Sequence, residues 1–173
     1  KMRTTLKRKA RKVDVDILTH FDETAWAAYK AIYSESWKPE EERADILEAF
    51  AAAEGAAGRI RLGIGRADGV PVAAQFWTVE NGTAYIHKLA HIEAATPLSA
   101  GTTLSAALFE YVIDTDGVEL IDFGTGSDAY KRDWMEQVRP RFRLTCLDWR
   151  QPRAWPAIAK AFVRHLAPHN RPS

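Results

Sequence analysis

The segment Asp122-Phe-Gly-Thr-Gly-Ser-Asp-Ala-Tyr-Lys-Arg-Asp-Trp134 marks the place where a short strand turns into a helix. The residues just before it, Val118-Glu-Leu-Ile121, are mostly bulky and apolar, which is typical of a strand. Gly124 and Gly126 allow the backbone a positive φ or a close approach to a ligand. Asp128 can cap a new helix that carries a phenol, an ammonium group and an indole. The segment therefore predicts the rim of an active site at the end of a strand.

The residues on either side of this segment alternate between strand-like and helix-like patterns. These patterns predict, in chain order, a strand over residues 13–18, a helix capped by Asp22 and stopped by Pro39, a helix over residues 41–54, a three-strand meander from Ile60 to His91, a helix after Pro97, the strand ending in Asp122, a short helix, a strand over residues 142–149 and a closing helix. Asn81-Gly82 is the strongest hairpin signal in the meander. In the helix over residues 41–54 we expect Ile46, Leu47 and Phe50 to be buried.

Length and composition predict one globular domain. The chain has 173 residues, of which 46% are hydrophobic and 10% aromatic, and these values suit a single core. We expect residues 1–173 to form this domain, with a basic helix over residues 1–12 and a C-terminal helix and tail over residues 152–173. The net charge of +1 argues against a nucleic-acid binder that uses its whole surface.

The single cysteine and the hydropathy pattern indicate a cytoplasmic protein. Cys146 is the only cysteine, so an intrachain disulfide is excluded and a reducing compartment fits. Its place in an apolar strand pattern predicts a small buried residue. No stretch is apolar enough to cross a membrane. The chain opens with Lys-Met, which indicates a piece of a longer protein.

A candidate anion site lies at the start of the helix that follows the meander. Its residues are small or carry hydroxyl groups: Ser99, Ala100, Gly101, Thr102 and Thr103. The first amides of a helix have no partner within it, and together with the helix dipole they bind anions such as phosphate. The alternative is an ordinary capped helix after a proline, since neither a P-loop nor a GxGxxG motif is present.

Two histidines on the third strand of the meander are candidates for proton transfer. His87 and His91 lie four residues apart, which on a strand separates them by roughly 13 Å and prevents them from sharing one metal ion. We therefore expect no metal site. Either they are hydrogen-bonded and partly buried, or one of them faces a cleft and moves a proton near neutral pH.

Four further side chains are candidates for a substrate site. Tyr130 and Lys131 follow a Gly-x-Gly bend at a strand end, where open α/β sheets place ligands. They could equally form the solvated face of a short helix, where ion pairs contribute little energy. Gln75 and Trp77 share one face of the second meander strand, and a substrate contact there is one interpretation.

Three segments resemble the BioF2-like acetyltransferase domain, a branch of the GNAT superfamily grouped with CelD-like proteins and related to FemAB-type transferases. They are Tyr85–His91, Leu98–Leu104 and Asp122–Trp134, and the resemblance covers about Arg3 to Trp149. It implies an α/β (α+β) fold with a central, mixed and mostly antiparallel twisted sheet and helices on both faces. It also implies that this chain is the C-terminal half of a protein with two GNAT-like halves.

The resemblance further implies direct acyl transfer from acetyl-CoA, or another acyl-CoA, to an amine. The helix start at Ser99–Thr103 would take the pyrophosphate, although only Gly101 remains of the glycines in the usual Arg/Gln-x-x-Gly-x-Gly/Ala loop. Backbone N–H groups from Leu89 to His91 would stabilise the oxyanion. Asp122 or His87 would be the base, and Tyr130 would protonate the thiolate. Lys131 would hold an acidic substrate or phosphate, and the acceptor would contact Gln75, Trp77 and Trp134.

Three functions therefore remain open. The first is an acyl-CoA N-acyltransferase that acts on a small-molecule or cell-envelope amine. The second is a FemAB-like transfer from aminoacyl-tRNA, with the basic opening as the RNA contact and an affinity that falls with salt. The third is a non-catalytic half-domain that binds or scaffolds.

Overall fold

The computed structural model describes residues 11–126, 128–142 and 144–166, which divide into two compact units between Lys131 and Arg132. The basic helix predicted for residues 1–12 lies outside the described residues, apart from Arg11 and Lys12 in a turn. The tail over residues 167–173 also lies outside them. No helix in the described part of the chain is long and apolar enough to cross a membrane.

The first unit contains a sheet, three long helices and most of the predicted elements. In chain order they are β1 (Asp14–Leu18), α1 (Glu23–Ser34), α2 (Ala44–Ala56), β2 (Ile60–Ala67), β3 (Val70–Glu80), β4 (Thr83–His91), a 3-10 helix (Glu93–Leu98), α3 (Ala100–Asp114), β5 (Leu120–Asp122) and the short α4 (Ala129–Arg132), which reaches the boundary. As predicted, Asp22 caps α1, because its Oδ1 accepts a 2.7 Å hydrogen bond from the Ala25 amide.

The sheet has the order β1-β2-β3-β4-β5, which is mixed and mostly antiparallel, as predicted. Strands β1 to β4 are antiparallel, and β3 follows β2 through Asp68-Gly69, where both residues have positive φ. Asn81-Gly82 joins β3 to β4 in the same way. Strand β5 is parallel to β4, and α3 provides the crossover between them.

Helices cover both faces of the sheet, and each face has its own core. Helix α3 buries Leu104, Leu108 and Val112 against one face. Helix α1 buries Trp26 and Tyr29 against the other. Such burial is the main favourable term in folding.

Strand β4 contains a bulge at His87. Phe76 pairs with Lys88 and Trp77 pairs with Ile86, so β4 has one residue more than β3 at this point. The side chains of His87 and Lys88 consequently face α1 and α2 together, while Leu89 packs in the core under α3. His87 and Leu89 therefore lie on opposite faces of the sheet, because strict alternation does not hold across a bulge.

The second unit contains a 3-10 helix (Pro152–Ala154) and α5 (Trp155–Leu166), the predicted closing helix. The strand predicted over residues 142–149 is absent from the described residues there. Phe142 and Leu144 are 90% and 88% exposed, and Cys146 is exposed where burial was predicted. Alternating apolar residues form a strand only when another strand pairs with their backbone groups, and no strand pairs with the described residues of this segment.

Candidate functional site

Strands β4 and β5 pair over only three residues and part after Tyr85 and Asp122. Beyond this point the Ile92 amide donates a 3.0 Å hydrogen bond to the Val72 carbonyl, so it points towards β3. Alternate amides of a strand point in opposite directions, and those of Leu89 and His91 therefore point towards the β5 side. The second half of β4 thus presents backbone donors where the neighbouring strand has diverged.

The start of α3 lies beside the end of β4. Ser99 precedes the helix in the left-handed region, with φ 55°, and its carbonyl accepts the first helical bond from the Thr103 amide at 2.9 Å. The amides of residues 100–102 therefore have no partner within the helix. A Cβ at Gly101 would lie 3.1 Å from His91 Nδ1, which shows how closely the two elements approach. Thr103 Oγ1 is buried and makes no hydrogen bond to any residue that the structure describes.

The segment after α1 approaches the same end of β4. The Trp37 ring lies against the His91 ring, with centroids 4.4 Å apart. Burial lowers the pKa of the adjacent Lys38, and the nearby charges of Lys88 and Lys131 lower it further, while Asp128 raises it. No pattern in the sequence assigned a role to Lys38, because only the fold brings this segment to β4.

Short hydrogen bonds fix the conformation of the segment after β5. Asp122 Oδ1 accepts a 2.6 Å bond from the Gly124 amide, which shapes the bend. Lys131 is largely buried, and its Nζ donates a 2.6 Å bond to the Thr125 carbonyl and lies 3.5 Å from Asp128 Oδ2. The side chain of Lys131 therefore holds the loop as well as placing a cation near Lys38.

Tyr130 lies next to this loop, with its ring edge-to-face against Phe123 at 6.1 Å. Burial raises the pKa of its phenol, and the nearby Asp128 carboxylate raises it further, so the hydroxyl is protonated at neutral pH. A protonated phenol can act as a general acid. Trp134 belongs to the second unit.

His87 sits between the sheet and α2. Its Nε2 and Thr78 Oγ1 share a 2.8 Å hydrogen bond, and its ring contacts Phe50 and Phe76 at centroid distances of 5.2 and 5.1 Å. Burial lowers the pKa of His87, so its imidazole is neutral at pH 7 and can accept a proton. Burial also lowers the pKa of His91.

A groove of about 540 Å³ opens on the α1 and α2 side of the sheet. It is lined by Tyr33, Pro39, Glu40, Glu41, Glu42, Arg43, Ile46, Leu47, Phe50 and Lys88. Ile46 is 50% exposed and Phe50 is partly exposed, so the prediction that they are core residues was wrong. Acidic side chains from the loop before α2 and apolar side chains from α2 line the groove.

Glu41 and Lys88 form the polar floor of this groove. Lys88 Nζ pairs with Glu41 Oε1 and lies over the Tyr33 ring, 5.5 Å from its centroid. The Tyr29 hydroxyl donates a 3.1 Å bond to Glu41 Oε2, and burial together with this carboxylate raises the pKa of Tyr29. Sequence reasoning missed Glu41, since its partners come from other elements.

Gln75 and Trp77, predicted to contact substrate, are 1% and 0% exposed. Trp77 Nε1 donates a 2.9 Å bond to Gln75 Oε1. Gln75 Nε2 in turn donates to the Gly101 carbonyl at 3.2 Å and to Ser105 Oγ at 2.7 Å. Because both side chains are buried between β3 and α3, their contacts are with the helix and the predicted substrate contact is corrected.

Comparison with known proteins identifies the family of this arrangement. The acetyltransferase (GNAT) domain family matches residues 1–132. No curated protein matches the chain. The solved structure of the aminoglycoside acetyltransferase AAC(6')-Iy with a bisubstrate CoA analogue is similar at a TM-score of 0.58 and 15% identity, covering 78% of this chain and 99% of that one.

Two other solved structures have the same fold. An aminoglycoside acetyltransferase from an uncultured soil metagenomic sample, in complex with trehalose, has a TM-score of 0.56 and 14% identity, covering 79% of this chain and 97% of that one. The ribosomal-protein-S18-alanine N-acetyltransferase from Escherichia coli has a TM-score of 0.55 and 16% identity, covering 70% of this chain and 72% of that one. These similarities confirm the predicted fold class.

Proposed function

This chain belongs to the GNAT acetyltransferase family, and on that premise we propose that it transfers an acyl group from acyl-CoA to a primary amine by direct attack in a ternary complex. The parting of β4 from β5 supports this most strongly, because it leaves the amides of Leu89 and His91 directed into a gap. Negative charge develops on the thioester oxygen during attack by an amine, and preorganised backbone donors stabilise that charge.

The donor would bind at the start of α3. The amides of residues 100–102 lack partners within the helix, and Gly101 and Thr102 are partly exposed at its start, so a pyrophosphate would bind there. The helix dipole adds a partial positive charge at the same place. The residues present therefore fit the anionic part of coenzyme A, although only one glycine of the usual loop remains.

The acceptor amine would enter from the groove and lose its proton to His87. Of the two predicted bases, His87 is better supported, because its imidazole is neutral and its ring contacts the groove residue Phe50. The Asp122 carboxylate is engaged by the Gly124 amide. The amine nitrogen forms a bond to the carbonyl carbon, the C–S bond breaks, and Tyr130 gives its proton to the departing thiolate.

The acceptor class we propose is a small-molecule or cell-envelope amine. Two structures of the same fold are aminoglycoside acetyltransferases, which supports a small amine. Lys131 would hold an acidic group of the acceptor. We further place the chain in the BioF2-like branch, as a single cytoplasmic domain that acts with an N-terminal GNAT-like half.

Calorimetry with acetyl-CoA tests the donor, and thiol release from acetyl-CoA with a panel of primary amines tests the transfer. We expect acetyl-CoA to bind with a micromolar Kd. Tyr130→Phe and His87→Gln should each lower kcat by about 10²-fold, because each removes one proton-transfer group. Both variants should bind acetyl-CoA with unchanged Kd, since neither side chain belongs to the α3 start.

Matched variants control for the loss of a ring hydroxyl and of an imidazole. Tyr111→Phe, near the far end of α3, and His20→Gln, at an exposed position, should retain wild-type kcat. A Kd above about 1 mM for acetyl-CoA refutes the proposal. Tight tRNA binding that weakens as salt rises, without acetyl-CoA binding, would favour the aminoacyl-tRNA-dependent function instead.

A further inference from the structure

We infer that Gln75 is a positioning residue that sets the register of α3 along β3 and so aims the first turn of α3 at the donor. This rests on the proposed donor role of that turn. Gln75 lies in the middle of β3, on the face that α3 covers, and is buried. Its side chain reaches the helix at Gly101, one residue from the helix start, and at Ser105, one turn later.

The orientation of the Gln75 amide follows from its partners. The indole nitrogen of Trp77 can only donate, so the atom it contacts at 2.9 Å is the Gln75 oxygen. The Gln75 nitrogen then faces the Gly101 carbonyl at 3.2 Å and the Ser105 hydroxyl at 2.7 Å, which both accept. The Gln75 amide nitrogen and oxygen therefore both have hydrogen-bond partners when α3 lies at this one position along the sheet.

A shift of α3 along the sheet would break the hydrogen bonds between Gln75 and the helix. Moving by one residue displaces a helix by about 1.5 Å along its axis and rotates it by about 100°, which removes both acceptors from Gln75. Buried polar groups without partners are costly, whereas the apolar contacts of Leu104 and Leu108 are non-directional. The apolar core therefore holds α3 on the sheet, and Gln75 selects where along the sheet it lies.

Because α3 packs closely on the sheet, its position along the sheet affects the geometry of the proposed donor site. A Cβ at Gly63 on β2 would lie 2.9 Å from both Leu104 Cδ1 and Leu108 Cδ1, so the helix rests directly on the strand backbone. At its start, Gly101 lies against the His91 ring. A displacement of about 1 Å between the α3 amides and the β4 amides would separate the two halves of the proposed site, and errors of this size cost about 10²-fold in rate.

The test measures donor affinity and helix order in variants of matched stability. Gln75→Met keeps the side-chain length but removes the amide, and Ser105→Ala removes one of its two acceptors. We expect the Kd for acetyl-CoA to rise at least tenfold in Gln75→Met and about threefold in Ser105→Ala. Hydrogen exchange at the amides of residues 100–105 should accelerate in both variants, with or without acetyl-CoA.

Leu108→Val is the control, because it loosens the core under α3 and leaves Gln75 and its partners intact. We expect its Kd for acetyl-CoA to stay within twofold of wild type, even where its melting temperature falls as far as that of Gln75→Met. Equal Kd values for Gln75→Met and Leu108→Val would overturn the inference. If Gln75→Met does not fold, unchanged hydrogen exchange in Ser105→Ala overturns it.

The two proposals fail in different ways. If wild type does not bind acetyl-CoA, the proposed function is refuted, and hydrogen exchange in the Gln75→Met and Ser105→Ala variants still decides the positioning role. If wild type binds but Gln75→Met binds equally well with unchanged exchange, the proposed function stands and the positioning role is refuted.

Discussion

Replacing Asp116 with alanine would leave the guanidinium of Arg61 without its carboxylate in a buried place. Arg61 Nε and Nη2 donate to the two oxygens of Asp116 at 2.8 and 2.7 Å, and the two side chains are 11% and 10% exposed. Arg61 projects from β2, and Asp116 follows α3. The pair therefore ties the end of α3 to the sheet before the chain enters β5.

The expected loss of stability depends on the contacts that Arg61 keeps when Asp116 is replaced. Removing one partner of a buried ion pair costs about 3–5 kcal/mol, because the remaining charge is desolvated and unpaired. Arg61 keeps hydrogen bonds to the Gly58 and Ile60 carbonyls, at 3.0 and 2.6 Å, and a cation–π contact with Tyr111. We therefore expect a loss of about 3 kcal/mol, near the lower end of that range.

Urea unfolding followed by circular dichroism and tryptophan fluorescence measures this loss. With a slope of about 2 kcal/mol/M, a loss of 3 kcal/mol lowers the unfolding midpoint by about 1.5 M. Removing both charges, in Arg61→Met combined with Asp116→Ala, should raise the midpoint above that of Asp116→Ala alone, because no unpaired charge remains in the core.

An exposed ion pair provides the control. Lys30 and Glu48 lie 2.9 Å apart but are about half exposed, so Lys30→Ala should cost less than about 1 kcal/mol. The reasoning is refuted if Asp116→Ala costs no more than Lys30→Ala. It is also refuted if the double variant is less stable than Asp116→Ala.

Three further predictions concern other parts of the first unit. Gly63→Ala should destabilise the protein by about 1–3 kcal/mol in thermal unfolding, because its Cβ would overlap Leu104 and Leu108; an unchanged melting temperature would contradict the close packing of α3. Asp22→Ala should cost about 1 kcal/mol in urea unfolding through loss of the α1 cap, whereas Asp22→Ser should retain most of it. Burial lowers the pKa of His87, so the unfolded state binds more protons and the unfolding free energy should fall as the pH falls below about 6.5. Urea titrations from pH 8 to 5 should show that the unfolding free energy depends less on pH in His87→Gln than in wild type. An identical pH dependence in the two proteins would be evidence against this burial effect.

Several elements followed from local signals that need no distant partner. The cap at Asp22, the hairpin at Asn81-Gly82 and the strand that ends in Asp122 were all predicted from neighbouring residues. Backbone propensity, capping and turn chemistry act over a few residues, so the amino-acid sequence is enough to place such caps and turns. The sheet with helices on both faces was expected from the family resemblance, to which the succession of these elements contributed.

The positions of side chains around the candidate site depended on pairing between distant segments. The bulge at His87 exists only because β4 pairs with β3 in a particular register, and it turns His87 and Lys88 to the same face. Gln75 was expected to contact substrate, but α3 covers it and supplies its partners. The segment over residues 142–149 alternates like a strand, yet no strand forms there among the described residues.

The sequence by itself thus determined most elements of the first unit, their order and the family resemblance, because these depend on short-range patterns of polarity and backbone preference. The tertiary structure alone decided that Glu41 pairs with Lys88, that Trp37 covers His91 and that Gln75 holds α3. Each of these contacts joins residues far apart in the chain, and burial makes each depend on the surrounding packing. In the function proposed above, the segment from Asp122 to Lys131 would line one side of the site, and the amides of β4 and of the start of α3 would line the other.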